Sequence, residues 1–156
     1  MTFQRTTDYA TIRAIITHPT QYRHCGDDFS PKIEDFRVNE DPRIWYVLAL
    51  DSCEDAVALF TFLPQNPICF EVHACVLPES WGASDWILSG ALRWMFENSE
   101  ARRVVASIPA YNRLAIKLAS RAGMSIFGCN PSSVLKGGRL CDQILTGISK
   151  ESLCRA

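Results

Sequence analysis

The sequence has 156 residues, of which 47% are hydrophobic and 21% charged, and its formal net charge at pH 7 is −1. This length and composition are typical of one globular domain over residues 1–156 with a buried core, and they exclude a disordered chain. The near-zero net charge provides no general field that would attract nucleic acid or anionic lipid, so we expect neither a nucleic-acid nor a membrane partner.

Neither a membrane span nor a secretion signal is encoded. No apolar run reaches the roughly 18 residues that a transmembrane helix needs, and the N-terminus lacks an apolar signal segment. The seven cysteines are scattered and form no CxxC pair, the usual sign of a zinc ribbon or a thioredoxin-like site. We therefore expect reduced thiols in a cytoplasmic protein. His18 and His24 lie near Cys25 without a recognised ligand spacing, so we expect no metal site.

The N-terminal third begins with a short predicted strand at residues 2–6. Asp8 then caps a helix, because Asp favours the N-cap position. The apolar residues of that helix recur at helical spacing: Tyr9, Ile12, Ile15 and Ile16. Residues 19–42 are polar and irregular, and Pro31 can start one short helix that ends near Phe36.

Three strands are predicted next, at residues 43–50, 56–63 and 68–77, the first two as a hairpin around a polar turn. The third strand alternates between two faces. One face is apolar and carries Ile68, Phe70, Val72, Ala74 and Val76. The other face carries Cys69, Glu71, His73, Cys75 and Leu77.

The C-terminal half alternates helices and strands. A short loop at 79–84 opens a helix through about Asn98, whose buried stripe has helical spacing: Ile87, Leu88, Ala91, Leu92, Met95 and Phe96. A strand at 102–108 and a helix at 111–122 follow. The predicted inner side of this helix carries Leu114, Ala115, Leu118 and Ala122, and Gly123 is a natural C-terminal cap. Two closing strands, at 124–128 and 141–148, surround a Gly137-Gly138 turn.

The predicted order is β-α-α-β-β-β-α-β-α-β-β, an α/β (α+β) fold with a mixed sheet of about six or seven strands and about four helices. An antiparallel meander that feeds a βαβ unit is neither a Rossmann domain nor a helical bundle. We expect the central strands to splay where the crossovers leave, which opens a gap for an extended ligand.

This order resembles the acyl-CoA N-acyltransferase fold of the GNAT superfamily. The segment that begins at Asn112 carries the likeness: an Asn that opens a helix, Ala115 three residues on, and Gly123 followed by Met124 at the next strand. It follows a Val-Val-Ala-Ser-Ile strand at the distance typical of the family. The likeness covers about residues 2–148, although the N-terminal third matches only by element order.

The resemblance implies a mechanism and a set of site residues. Acetyl-CoA, as co-substrate, would lie in the gap with its pyrophosphate on backbone amides at the helix start, and strand amides would polarise the thioester. The implied cofactor-binding residues are Cys75, Val76, Leu77, Trp81, Gly82, Ala83, Ser84 and Asn112. Glu71 and His73 are the candidate general bases. Asn112 can equally be a helix cap, and Trp81 can equally be a packing residue.

Two features depart from the family pattern. Its phosphate loop begins with Arg or Gln, but the two possible registers place Glu79 or Trp81 at that position. The tyrosine that often serves as general acid would fall at Ala119.

Two functions remain open from the sequence. The first is transfer of an acetyl group from acetyl-CoA to a primary amine of a protein or small molecule. The alternative is a catalytically inactive protein with a structural role, because Glu71-Val-His73, residues 91–97 and the segment around Asn112 also resemble small GNAT-like phage proteins. The partners would then be virion proteins instead of acetyl-CoA and an amine. A homo-oligomer stays open in either case.

Overall fold

The structure is a computed structural model that describes residues 1–153. Seven strands and five α-helices follow one another along the chain: β1 (Thr2–Thr6), α1 (Tyr9–Ile16), α2 (Pro19–Cys25), β2 (Trp45–Leu50), β3 (Ala56–Asn66), β4 (Cys69–Val76), α3 (Ser84–Asn98), β5 (Arg103–Pro109), α4 (Arg113–Arg121), β6 (Ser125–Lys136), β7 (Arg139–Ser149) and α5 (Lys150–Leu153). Two 3₁₀ helices lie between them, at Ile33–Asp35 and Pro78–Ala83.

All seven strands form one mixed sheet with the order β1-β2-β3-β4-β5-β7-β6. Every neighbouring pair is antiparallel except β4 and β5, which are parallel. A parallel connection needs a crossover, and α3 supplies it. The predicted mixed sheet is confirmed, with β7 inserted between β5 and β6.

Each face of the sheet has its own core. On one face, α3 and α4 cover the larger cluster, to which β4 contributes Phe70, Val72 and Val76. On the other face, α1 packs Ile12 and Ile15 against β2 and β3. The predicted faces of β4 are therefore confirmed, because Cys75 and Leu77 pack on the α1 side. None of the helices in residues 1–153 combines the length and apolarity needed to cross a bilayer.

The segment 19–42 differs from the prediction. The second helix forms at Pro19–Cys25, and the stretch after Pro31 contains only the 3₁₀ turn Ile33–Asp35. Pro19 occupies the first helical turn, where its missing N–H costs nothing. The buried Gln21 side chain fixes α2 by donating to the carbonyl of Val76 on β4. A long-range contact thus holds this helix against β4.

Two smaller differences concern α4 and the last strands. Leu114, predicted on the inner side of α4, is 80% exposed, whereas Ala119 and Ala122 are buried. The closing strands are longer than predicted, because they extend to the two-residue turn at Gly137 and Gly138. Both glycines have positive φ, as this type of hairpin turn requires.

The six cysteines within residues 1–153 are free, and Cys154 lies outside the described residues.

Candidate active site

The parallel strands β4 and β5 part halfway along their length. They pair only at Cys69 with Arg103, Phe70 with Val104, and Glu71 with Val105. β4 continues to Val76 and β5 to Pro109, so residues 72–76 and 106–109 extend beyond the last pair. The predicted gap between two central strands is therefore present. It widens from Glu71 toward the C-terminal ends of both strands.

Backbone amide groups of β4 point into this gap. The amide of Leu77 donates to the carbonyl of Val57 at 2.9 Å, which directs Leu77 toward β3. Because successive residues of an antiparallel pair alternate in direction, Ala74 and Val76 direct their backbone groups toward the gap. Of the strand amides expected at the site, that of Leu77 is thus engaged in the sheet, and that of Val76 faces the gap.

The carbonyl of Val76 marks the wide end of the gap. It accepts a hydrogen bond from the indole Nε1 of Trp81 at 2.9 Å and another from the amide of Gln21. The Trp81 side chain is half exposed. The Trp81 side chain therefore joins the loop to the end of β4.

The expected phosphate loop is wound into the 3₁₀ helix Pro78–Ala83, which leads directly into α3. Both Gly82 and Ala83 are exposed, and a Cβ added at Gly82 would meet no atom within 4 Å. The N-cap residue Ala83 offers no side-chain cap to α3. Amide groups in the first turn of α3 are therefore left without an N-cap side chain, beside open space that an anionic group could occupy.

Carboxylates and internal hydrogen bonds reduce what this loop can offer to an anion. Glu79 is exposed in the first turn of the 3₁₀ helix. The Asp85 carboxylate accepts from the amide of Trp86 at 3.0 Å, and both the amide and the hydroxyl of Ser84 donate to Trp81 O, the hydroxyl at 2.6 Å. The structure thus brings Trp81, Gly82 and Ser84 to the mouth of the gap, with two acidic residues among them.

The two candidate bases lie on one face of β4. Glu71 is half buried at the point where the strands part, and His73 is exposed two residues further on. Among residues 1–153, the only side-chain partner of Glu71 is Gln65, whose Nε2 lies 3.5 Å from Oε2. Neither side chain forms an ion pair within residues 1–153. Both lie on the α1 side of the sheet, as Cys75 and Leu77 do.

Cys75 lies on that same face, near the wide end of the gap. Burial raises the pKa of its thiol to about 12. A thiol with this pKa stays protonated at neutral pH, which makes it a poor nucleophile. Cys75 therefore lines the site rather than reacting in it.

Asn112 begins α4 on the other side of the gap. Its Oδ1 accepts from the amide of Ala115 at 3.1 Å, so it is an N-cap. Its Nδ2 makes no hydrogen bond within residues 1–153 and keeps its two donors available. The capping role is thus present, and it leaves room for a ligand contact as well.

One residue at the site was missed by the sequence analysis. Tyr111 follows β5 by two residues, and its ring centre lies 5.9 Å from Nζ of Lys136 on β6. Burial, followed by the charges of Asp27, Cys141, Cys25 and Asp28, raises the pKa of its phenol. The hydroxyl makes no hydrogen bond within residues 1–153. In the sequence, its position next to Asn112 was the signal that could have marked Tyr111 as a site residue. Ala119, where the family often has tyrosine, is buried.

The remaining candidates form no second site. No group of three or more metal-ligating side chains is assembled within residues 1–153. Two shallow depressions lie elsewhere on the surface, one beside Ile116 and Met124 and the other beside Gln4 and Leu48. Neither includes a residue of the gap.

Comparison with known proteins shows the fold. No protein-family model and no curated protein matches the sequence. Among solved structures, spermidine N-acetyltransferase from Vibrio cholerae in complex with CoA and spermine matches with a TM-score of 0.79 and 14% identity, over 98% of this chain and 97% of that one. A chimera of the same enzyme, SpeG, and hSSAT matches with a TM-score of 0.79 and 15% identity over 100% of both chains.

A third structure, assigned as a phosphinothricin N-acetyltransferase, matches with a TM-score of 0.72 and 20% identity, over 95% of this chain and 97% of that one. All three matches cover at least 95% of this chain. This is the GNAT fold. Identities of this size establish the GNAT architecture and no more. None of these comparisons supports the phage origin that the sequence left open.

Proposed function

We propose that this protein is an N-acetyltransferase that transfers the acetyl group of acetyl-CoA to a primary amine. The observation that supports the proposal is the parting of β4 and β5, with the backbone groups of Ala74 and the amide of Val76 directed into the gap. An extended pantetheine arm has alternating amide groups, so it can pair with such a free strand edge as another strand would. The uncapped start of α3 lies at the wide end, where the diphosphate would follow.

The amide of Val76 would stabilise the charge that develops on the thioester oxygen. A backbone N–H fixed in a strand needs no reorganisation during the reaction, which is the basis of oxyanion stabilisation. The electron pair of the attacking amine forms the C–N bond, and the C–S bond breaks to leave the thiolate. Both events would take place between β4 and β5.

Glu71 or His73 would receive the proton that the amine loses. Both lie on the β4 face opposite α3 and α4, so the amine would approach from the side of α1 and α2. His titrates near neutral pH, and a carboxylate can act through one water. The acceptors that the matched structures name are spermidine and phosphinothricin, which makes these two amines the first to assay here.

Nothing in the fold or the comparisons favours the inactive structural role, so the acetyltransferase is the only function we propose. The carboxylates at Glu79 and Asp85 set the affinity for acetyl-CoA rather than the reaction type, because they lie in the loop and the first turn of α3.

Calorimetric titration with acetyl-CoA tests the proposal directly. We expect micromolar binding, and we expect Gly82→Glu to abolish it because the new carboxylate would project into the open space beside Gly82. Gly137→Glu is a matched control, since it adds the same charge at another glycine with open space around it. No binding at millimolar acetyl-CoA would refute the proposal.

Thiol release in the presence of spermidine or phosphinothricin then tests the base. We expect Glu71→Gln or His73→Ala to lower kcat by 10-fold or more while the Kd for acetyl-CoA stays within twofold. Glu34→Gln is the control, an exposed carboxylate in the 3₁₀ helix Ile33–Asp35. If both variants keep the wild-type kcat, neither Glu71 nor His73 is the base.

A further inference from the structure

The loop after α2 and the turn between β6 and β7 are held together by hydrogen bonds, although more than 100 residues separate them. The Asp28 carboxylate accepts from the amides of Gly137 at 2.7 Å and Gly138 at 2.8 Å. The Asp28 amide donates to the carbonyl of Leu135 at 3.0 Å. We name this contact between residues 26–28 and 135–138 the bridge.

A lysine completes the bridge from the β6 side. The Lys136 ammonium donates to the carbonyl of Arg23 at 3.3 Å and to that of Gly26. These carbonyls lie at the C-terminal end of α2, where carbonyl groups lack helical partners and a cation is favourable. The bridge therefore includes a charge-assisted contact and two amide-to-carboxylate hydrogen bonds.

Both ends of the bridge are anchored to the strands that border the gap. On the β4 side, Gln21 of α2 donates to the carbonyl of Val76. On the β5 side, the amide of Ala110 donates to the carbonyl of Asp142 on β7 at 2.8 Å. These contacts close a ring around the wide end of the gap, on the face that α1 and α2 cover. The ring runs from Val76 through α2 and the bridge to β7, and from there to Ala110 after β5.

The side chains near this ring are mutually close. Nζ of Lys136 lies 5.9 Å from the centre of the Tyr111 ring. Lys136 of the bridge and Tyr111, which follows β5, therefore lie close to each other at this ring.

We propose that the bridge restricts the acceptor to amines at the end of a slim, unbranched chain, and that it excludes amines held on a folded protein surface. The inference rests on the proposed function. In that function acetyl-CoA comes from the side of α3 and α4, so the amine has to pass through the ring on the opposite face. A slim alkylamine can thread a closed ring, but a lysine whose flanking backbone is folded cannot.

CoA conjugates test this inference without knowledge of the natural acceptor. Carbamoylmethyl-CoA that carries an N-butyl group places a slim chain in the acceptor path, and the N-adamantyl analogue places a bulky group there. We expect the wild-type protein to bind the butyl conjugate at least 10-fold more tightly than the adamantyl conjugate by calorimetry. We expect Asp28→Ala to reduce this ratio to less than threefold by opening the bridge, with the Kd for CoA unchanged.

Asp35→Ala is the matched control, because Asp35 is exposed in the 3₁₀ helix Ile33–Asp35 outside the bridge, and it should keep the wild-type ratio. Lys136→Met opens the bridge from the other side and replaces Asp28→Ala if that variant fails to fold. Faster amide hydrogen exchange at Gly137 and Gly138 in Asp28→Ala would show that the bridge has opened.

The outcomes separate the two proposals. If CoA binds but the wild-type protein accepts both conjugates equally, or if the opened variants keep the wild-type ratio, the bridge does not select the acceptor and the acetyltransferase proposal stands. If the wild-type protein binds neither CoA nor the conjugates, the proposed function fails and this inference fails with it.

Discussion

The contact between α3 and the edge strand β1 gives a prediction that the structure makes quantitative. Gly90 lies inside α3, and a Cβ added there would lie 2.5 Å from Cζ and 2.6 Å from Cε2 of Phe3. Packed carbon atoms approach to about 3.5 Å, so Gly90→Ala requires the Phe3 ring to move by about 1 Å. Phe3 is partly buried against the larger core, and moving its ring outward loses some of that packing.

The size of the effect follows from two opposing contributions. In an unobstructed helix, Gly→Ala stabilises by about 1 kcal/mol, whereas overpacking typically costs about 1–3 kcal/mol. We expect Gly90→Ala to destabilise the protein by about 1 kcal/mol. In a Phe3→Ala background the obstruction is gone, so the same change should stabilise by up to about 1 kcal/mol. The coupling between Gly90 and Phe3 is therefore about 2 kcal/mol.

Urea unfolding of the four proteins, followed by far-UV circular dichroism, measures this cycle. Effects of the two substitutions that add within about 0.5 kcal/mol would refute the close approach of α3 to β1. A stabilising Gly90→Ala in the otherwise unchanged protein would do so as well.

Three further predictions concern the site. Asn112→Ala removes the cap on α4 and should cost about 1 kcal/mol in urea unfolding, whereas Asn112→Ser keeps a capping oxygen. If Asn112 also binds acetyl-CoA, Asn112→Ser keeps the wild-type stability but binds acetyl-CoA more weakly. An unchanged affinity for acetyl-CoA would show that Asn112 is a helix cap only. Hydrogen bonds from the Gly138 and Gly137 amides lower the pKa of Asp28 below 3.8, so its stabilising contribution is complete above pH 3.8 and declines as the pH falls through that lowered value. Carbon-13 titration of the carboxyl checks this, and a pKa at or above 3.8 would argue against the bridge. Replacement of Glu79 by Gln should tighten acetyl-CoA binding roughly threefold by removing one charge beside the diphosphate; unchanged calorimetric affinity would place that carboxylate away from the phosphates.

Local patterns accounted for most of the elements. The alternation in β4 assigned its two faces correctly. A one-residue shift would move every buried side chain of a strand to its opposite face, so burial permits only one register. The helical stripe of α3 is buried as expected, from Ile87 to Phe96. Gly123 adopts positive φ just after α4, as a C-terminal cap requires.

The parts that sequence patterns did not predict depend on contacts between distant residues. α2 is joined to β4 by the bond from Gln21 to Val76, which are 55 residues apart. The exposure of Leu114 follows from how α4 lies on the sheet. A local pattern carries no information about either contact, because the partner lies far away along the chain.

The candidate site shows the same division. By itself, the sequence determined the residue types at the gap and the face of β4 that presents Glu71 and His73, because strand alternation is a local property. Only the tertiary structure decided that Tyr111 lies beside Lys136 and that Asp28 closes onto the turn at Gly137. Backbone groups find their partners when strands and loops pack, so the shape of the proposed acceptor entrance emerges only in the folded chain.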